Sequence, residues 1–312
     1  MAADEYSEFR ARVRPLAGDR VRPDESLARF TSFRIGGPAD LLFTPADVDM
    51  LAAVLRAASE SGVAVTRLGG GTNLLISDLG VRGLVVRLGA DFDYRNWHGE
   101  AGEETVGVEV GAATRLGKLV KETVERGLAG IEFAAGIPGT VGGGALMNAG
   151  AFGGEIGNAI TSADGVTLDG EPRHLQRQDL EFSYRRLALE VDVVITSVSF
   201  RLARSPVGKL RRIVESVQAK RRQKQPLGLP NAGSIFKNPD REYAGQLIER
   251  AGLKGRTIGG AQISPDHANF IVNLGGARAS DVRALMSLIQ DEVWKRSGVW
   301  LEPEVRLVGE WG

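Results

Sequence analysis

The chain of 312 residues contains no cysteine. Its absence excludes disulfides, thiolate nucleophiles, cysteine-ligated zinc and iron–sulfur clusters. Histidine is scarce: His98, His174 and His267 are the only three, far apart in sequence. A histidine-rich metal site is therefore not expected, and no other metal motif stands out. Neither sign of charge is in excess, with 39 Lys+Arg against 39 Asp+Glu. No global field draws in nucleic acid or an acidic membrane. No apolar run approaches the roughly 20 residues that a membrane span requires. The start, MAADEYSEFRARVR, is charged and lacks an apolar core, so no secretory signal is expected.

What remains is ordinary for a soluble globular protein, with 43% hydrophobic and 25% charged residues. The length allows two or three domains. Glycine is the exception, at 41 residues. Residues 134–154, AAGIPGTVGGGALMNAGAFGG, hold Gly136, Gly139, Gly142, Gly143, Gly144, Gly150, Gly153 and Gly154. Each glycine costs about 0.5–1 kcal/mol inside a helix or strand. Such a run points to bare backbone, needed for positive φ or for close approach to a ligand. Thr140 and Asn148 are its main polar side chains, so backbone N–H groups are the expected donors and an anion such as a diphosphate the expected guest. Ile137, Pro138, Val141, Leu146, Met147 and Phe152 are anchors that a flexible linker lacks.

In chain order, a short helix is expected near residues 4–13, then a broken strand over residues 31–40. Asp47 is placed to cap a helix with Leu51, Val54 and Leu55 inward. Residues 63–68 read as a strand that enters Gly69, Gly70, Gly71, Thr72 and Asn73. Leu74 stands where a dinucleotide fingerprint needs its last glycine, and the following LLISD is extended, so a Rossmann reading fails. Residues 83–88 and 106–110 read as strands, with polar turns between them. Gly111 to Lys118 is no P-loop: one residue too many separates its glycines and Leu119 follows the lysine. Strands are expected at 163–168, 172–175 and 191–202. Residues 205–225 read as a basic helix stopped by Pro226, and PLGLPNAGSIFKNPD (226–240) as a second conspicuous loop. A helix at 243–251, a strand at 268–273, a helix at 280–296 and a strand at 299–308 complete the chain. Read alone, these features amount to a nucleotide or dinucleotide binder. No Ser-His-Asp set can be proposed, and Ser234 has no G-x-S-x-G frame.

Together the segments are more specific. TRLGGGTNLLISD (66–78) and AAGIPGTVGGGALMNAGAFGGE (134–155) resemble the FAD-binding segments of the UDP-N-acetylenolpyruvoylglucosamine reductases. The likeness continues through FSYRR (182–186), RRQKQP (221–226), NAGSIFKNP (231–239), AGLKG (251–255), HANFIVN (267–273) and LEPEV (301–305), in the family's order. The resemblance implies an α+β chain with the two-part, vanillyl-alcohol-oxidase-like (PCMH-type) FAD-binding fold and a C-terminal α/β substrate domain. The parts are expected at 1–90 and 91–204, holding FAD, and at 205–312, closing over substrate. It implies non-covalent FAD held by Gly69, Gly70, Gly71, Thr72, Asn73, Gly136, Ile137, Gly139, Thr140, Val141, Gly142, Asn148 and Gly150. It implies Arg185, Ser234 and Glu304 as catalytic residues, and Lys224 and Asn238 as binders of the UDP-sugar.

The implied reaction reduces the enolpyruvyl group of UDP-N-acetylenolpyruvoylglucosamine to UDP-N-acetylmuramate with NADPH. It serves peptidoglycan synthesis, and so cell-wall biogenesis, cell shape and division, in a cytoplasmic monomer. Glu304 beside a carboxylate implies a raised pKa. One departure is visible: many members read Y-R-x-S, and Leu187 replaces that serine. The segment from Arg185 to Lys224 is short, like the form without a tyrosine-bearing lid. Blander readings of single residues stay open. Arg185 could pair with Glu181 at the surface. Glu302 and Glu304 share one side of a strand. His267 and Asn269 read as structural hydrogen-bonding residues. A flavin oxidase of the same fold and a non-catalytic nucleotide binder are the alternative functions.

Overall fold

The computed structural model describes residues 3–99, 103–226, 228–240 and 242–312. The chain divides into two compact units, each assembled from separated segments. The first comprises Met1–Pro23, Leu41–Gly70 and Gly83–Lys220, the second Asp24–Asp40, Gly71–Arg82 and Arg221–Gly312.

The first unit opens with helix Ala3–Ala17. It is longer than the sequence suggests, because Phe9, Val13 and Ala17 repeat every four residues and are all buried. Its neighbour is helix Val48–Glu60, started as expected by Asp47, whose carboxylate accepts the Met50 amide at 2.7 Å. Both join a core that includes Leu41, Phe43, Leu55, Leu84 and Val86. Leu84 and Val86 sit on strand Val81–Val86, whose parallel partner is Val65–Arg67.

A second sheet is organised around the 12-residue strand Val193–Arg204. Antiparallel partners flank it, Ile160–Thr167 on one side and Thr105–Gly111 on the other. Strand alternation sends Val193 and Ile195 into one core and Val194 into the other. Pairing then jumps from Ile195↔Gly165 to Ser197↔Asp164. The bulge reverses the phase, so Val198, Phe200 and Leu202 return to the core of Val193. Outermost lies strand Arg95–His98, in a stretch whose polar sequence reads as turns. Its side chains alternate half-buried and exposed, and an edge strand tolerates that polarity.

In the second unit, helix Ala279–Ser297 buries Val282, Leu285, Met286, Ile289 and Val293 as its periodicity requires. These meet Phe33, Ile35, Leu75, Ile235, Phe236 and Leu301 in one core. Strand Leu74–Ile76 pairs in parallel with Arg306–Val308. The expected strand at residues 31–40 begins only at Pro38. Before it, Thr31 Oγ1 donates to the Ile35 carbonyl at 2.8 Å and accepts the Ile35 amide at 3.2 Å. A hydroxyl that closes such a local ring competes with strand pairing.

Candidate functional site

The expected site residues fall into both units. In the first, Gly69 and Gly70 lie against Gly139 and Thr140. A side-chain carbon at Gly70 would be 2.8 Å from Gly139 Cα, and one at Gly69 would be 3.3 Å from Thr140 Oγ1. Gly136 and Gly139 have φ of 80° and 114°, which L side chains rarely adopt. The loop is fixed from below. Gly139 accepts the Leu116 amide at 3.1 Å, Val141 donates to Thr114 at 2.8 Å and Gly142 to Ala112 at 3.0 Å. Val141 is fully buried, and Ile137 packs on the same core.

The glycines do not prevent a helix here. Val141–Leu146 is helical, capped by Thr140, which accepts the Gly143 amide at 3.5 Å. Its glycines are packing positions: a side-chain carbon at Gly142 would meet Ala112 Cβ at 2.8 Å, and one at Gly144 would meet Leu116 Cδ1 at 3.0 Å. Close approach outweighs the propensity penalty.

Asn148 follows this helix, fully buried and at φ 40°. Its Nδ2 donates to Glu155 Oε2 and to the Ser183 carbonyl, each at 2.9 Å, and its Oδ1 accepts the Gly157 amide at 3.1 Å. Ser183 ends the first strand of a hairpin, Glu181–Ser183 with Arg186–Ala188, whose two-residue loop is Tyr184-Arg185. Arg185 sits at φ 57°. Its guanidinium lies 5.1 Å from the Tyr184 ring centroid and crosses Gly150, where a side-chain carbon would be 3.1 Å from Nη1. Leu187, where a serine is usual, is buried in the first unit's core and anchors the hairpin opposite Phe182.

The second unit holds Gly71, Thr72, Asn73, Ser234, Asn238 and Glu304. The run 69–73 therefore straddles the division. Gly71 has φ 61°, and a side-chain carbon there would collide with the Phe30 carbonyl oxygen at 2.0 Å. Ser234 is half-buried and follows Gly233 at φ 76°. Asn231 Oδ1 accepts the Gly233 amide at 2.9 Å and so shapes the turn before it. Behind Ser234, Ile235 and Phe236 are buried anchors. The Ile235 carbonyl accepts the Glu304 amide at 2.8 Å and the Val305 amide at 3.3 Å, while Lys237 donates to the Glu302 carbonyl at 2.9 Å. Asn73 Nδ2 donates to the Glu304 carbonyl at 3.0 Å, and the Asn73 carbonyl accepts the Arg306 amide at 3.0 Å. Ser234, Glu304 and Asn73 are thus brought together by backbone.

The two glutamates of LEPEV differ. Pro303 forms only an isolated bridge, with Phe236, and the regular strand starts at Arg306. Glu302 is paired with Lys237, its side chain 70% exposed, whereas Glu304 is half-buried. Asn238 is exposed and caps the following helix, its Oδ1 accepting the Ala244 amide at 3.1 Å. Lys224 ends helix Val207–Lys224, and its side chain lies outside the described residues.

Asn269 has the structural hydrogen-bonding role that its motif suggests, with partners that only the structure shows. Asn269, buried, grips residue 236 twice: Oδ1 accepts the Phe236 amide at 3.0 Å and Nδ2 donates to its carbonyl at 2.8 Å. Its own carbonyl accepts the Ile235 amide at 2.9 Å, and its amide donates to His267 Nδ1 at 3.2 Å. HANFIVN marks the residue, but not its partners 33 positions upstream. Among the described residues no group of three His, Asp or Glu is placed to hold a metal ion.

Comparison with known proteins bears on both halves. Residues 225–308 match the family described as UDP-N-acetylenolpyruvoylglucosamine reductase, C-terminal domain, and residues 39–176 match an FAD binding domain. The UDP-N-acetylenolpyruvoylglucosamine reductase of Anaeromyxobacter sp. (strain Fw109-5) is 45% identical over 304 residues, 97% of this chain and 93% of that protein. UDP-N-acetylenolpyruvoylglucosamine reductase 2 of Symbiobacterium thermophilum is 44% identical over 306 residues, 97% of each. Among solved structures, the reductase from Thermus caldophilus aligns with a TM-score of 0.79 at 36% identity, covering 93% of this chain and 99% of that one. A VAO-type flavoprotein from Myceliophthora thermophila aligns at 13% identity with a TM-score of 0.50, over 97% of this chain and 64% of that one. The latter speaks to fold alone: the α+β fold is of the vanillyl-alcohol-oxidase type.

Proposed function

Since this chain belongs to the UDP-N-acetylenolpyruvoylglucosamine reductase family and is an FAD-containing oxidoreductase that uses NADPH, we propose that Arg185, Ser234 and Glu304 carry its chemistry. The observation that supports this most directly is the 2.8 Å bond from the Glu304 amide to the Ile235 carbonyl. It fixes the two expected proton-handling side chains to one piece of backbone.

The glycine positions fit a flavin dinucleotide. Gly70 against Gly139 leaves no room for a side-chain carbon, and the loops present bare backbone held from below. Gly69, Gly70, Gly136, Ile137, Gly139, Thr140, Val141 and Gly142 would hold FAD through main-chain donors, which suits a diphosphate. Gly71, Thr72, Asn73 and Gly150 complete the set. No cysteine exists, and no histidine lies in either loop, so the attachment is non-covalent. FAD held there would supply the hydride chemistry that links NADPH to the methylene carbon of the enolpyruvyl group.

As hydride arrives, negative charge develops on the neighbouring carbon and spreads into its carboxylate. Arg185 holds that carboxylate: its planar fork stays charged and bonds both oxygens. Glu304 is the second acidic residue of this reading, assigned to the charge that develops on the substrate. Ser234 Oγ–H gives its proton to the carbanionic carbon and is restored from solvent. A serine hydroxyl is a weak acid, so it acts only because the acceptor is strongly basic. Lys224 and Asn238 bind the UDP-sugar.

A three-part reading at 1–90, 91–204 and 205–312 follows three hydrophobic cores with exchange at its bounds: Phe33, Ile35 and Leu75 join the third core, and Leu210 and Val217 the second. The cores centre on Phe43 with Leu55, on Phe200 with Leu119, and on Phe236 with Ile289. The product is a peptidoglycan precursor, so the enzyme acts in cell-wall biogenesis, with cell shape and division depending on it. A cytoplasmic monomer that binds neither nucleic acid nor membrane fits the net charge of zero. No helix among the described residues is long and apolar enough to cross a membrane. NADPH oxidation dependent on the enolpyruvyl substrate tests the assignment. The parent is expected to turn over and Arg185→Lys, which loses the fork but keeps the charge, to lose most of its activity. Full activity of Arg185→Lys would remove Arg185 from the mechanism.

A further inference from the structure

The Asn148 side chain raises a question of its own. An asparagine amide has two N–H donors. Both are committed to protein, one to Glu155 Oε2 and one to the Ser183 carbonyl, each at 2.9 Å. The residue is fully buried and held at φ 40°, where asparagine is among the few side chains tolerated. The surroundings are cut to admit it. A side-chain carbon at Gly157 would lie 2.9 Å from Asn148 Oδ1 and 2.6 Å from Phe182 Cγ, and Gly157 returns its amide to Oδ1 at 3.1 Å. The tethered carbonyl belongs to Ser183, two residues before Arg185. Arg185 is itself strained at φ 57° and lies across bare Gly150, which pairs with Glu155 in the neighbouring strand. Strained residues persist only where their surroundings over-determine them.

We infer that Asn148 is a positioning residue for Arg185: its amide bolts the glycine-rich segment to the hairpin that aims the guanidinium. This assigns it a part separate from the cofactor contact that its place in the motif suggests. The inference rests on the reading of Arg185 as the residue that holds the substrate carboxylate.

Asn148→Gly is the test, because glycine keeps the positive φ and removes the amide. Asn148→Ser, which keeps a small uncharged polar side chain and removes both amide donors, stands in if the glycine variant folds poorly. Each is compared with the parent and with Arg185→Ala, singly and combined. The measurements are flavin content, anaerobic bleaching by NADPH and reoxidation by the enolpyruvyl substrate. Flavin content and bleaching are expected to match the parent, and reoxidation to slow about tenfold, the scale of coupling between residues in one network. In the Arg185→Ala background the same substitution is expected to change reoxidation less than about twofold, because what it positions is gone. In the apoprotein, trypsin is expected to cut after Arg185 or Arg186 faster once the tether is lost.

Loss of flavin from both Asn148 variants would make the residue a cofactor ligand and overturn the inference. So would an equal slowing with and without Arg185, or parental reoxidation by the single variants. If Arg185→Ala itself reoxidises at the parental rate, the reading of Arg185 falls first and the inference with it.

Discussion

The Glu304 amide donates to the Ile235 carbonyl at 2.8 Å, one residue beyond Ser234. The bond joins the two stretches of backbone and involves neither side chain. Asn269 grips the same strand of loop from the opposite side. This rigidity allows Ser234 to be tested by substitution without collapse of the loop. Hydride transfer from NADPH needs no proton donor at the substrate carbon, whereas quenching the carbanion does. Ser234→Ala is expected to bleach with NADPH at close to the parental rate in anaerobic stopped flow. Its reoxidation by substrate is expected to slow at least about a hundredfold, the low end of general acid catalysis. Ser234→Cys, which keeps a donor, recovers part of the loss. Equal slowing of both half-reactions would make Ser234 a structural loop residue.

The two glutamates of LEPEV are separable by substitution. Glu302 is exposed and paired with Lys237, and exposed pairs contribute about 0–1 kcal/mol. Glu302→Gln is expected to leave turnover within about twofold of the parent, since only such a pair is lost. Glu304→Gln keeps the backbone bonds to Ile235 and Asn73 and removes the titrating group. It is expected to slow reoxidation about a hundredfold or more. A reversed order of effects would move the role to Glu302.

Asp78 ties residues 71–82 to the long helix of the second unit. Its carboxylate accepts the Ala279 amide at 2.8 Å and the Ser280 amide at 3.0 Å. Partial burial works to raise its pKa, but those two amides and the Arg278 charge prevail and hold it below the usual 3.8. A carboxyl lowered on folding stabilises fully above its unfolded pKa and loses that contribution as pH falls through the folded value. Asp78→Asn is expected to cost about 1 kcal/mol near neutrality. The gap from the parent closes as pH drops below about 4. Denaturant unfolding at a series of pH values measures it, and a gap constant down to pH 3 would reject the electrostatic explanation.

Phe152 and Gly153 form the two-residue loop between Gly150–Ala151 and Gly154–Glu155, with φ of 52° and 85°. Two positive φ values suit Asn-Gly and penalise a bulky first residue by about 1–2 kcal/mol. The ring is half exposed, with Lys220 Nζ 5.9 Å from its centroid. Phe152→Asn is expected to raise the melting temperature by about 2–4 °C. An unchanged or lowered value would show that the ring's contacts outweigh the strain.

Much of this was written in the residue order, where local chemistry decides. Asp47 caps its helix because its carboxylate needs only the amide three residues on. Leu116, Leu119, Val120 and Val124 are buried because a single helix face presents them. Motif order likewise marked Ser234 and Glu304, which the backbone joins. Long-range packing was not legible. Gly142 and Gly144 belong to a helix because Ala112 and Leu116 press on it, and neither neighbour is local. Arg95–His98 became a strand through its pairing with residues 107–110. Alternation placed Glu302 and Glu304 on one side, yet Pro303 interrupts the strand and Lys237 claims the first of them. The role of Asn269 depends on a partner 33 residues earlier, beyond any periodicity.

The second unit is stitched from chain made at very different times. Phe33, Ile35 and Leu75 lie in its core, and Leu74–Ile76 pairs with Arg306–Val308, the last strand before the C-terminus. During synthesis, residues 24–40 and 71–82 leave the ribosome more than 200 residues ahead of that partner strand. At about 5–20 residues per second they wait on the order of 10–50 s with apolar side chains and one open strand edge unsatisfied. The first unit needs nothing beyond Lys220 and can close during that interval. A stalled or truncated chain lacking the last ten residues would present Leu74–Ile76 to solvent for good, and its failure would be aggregation through that edge before any failure of catalysis.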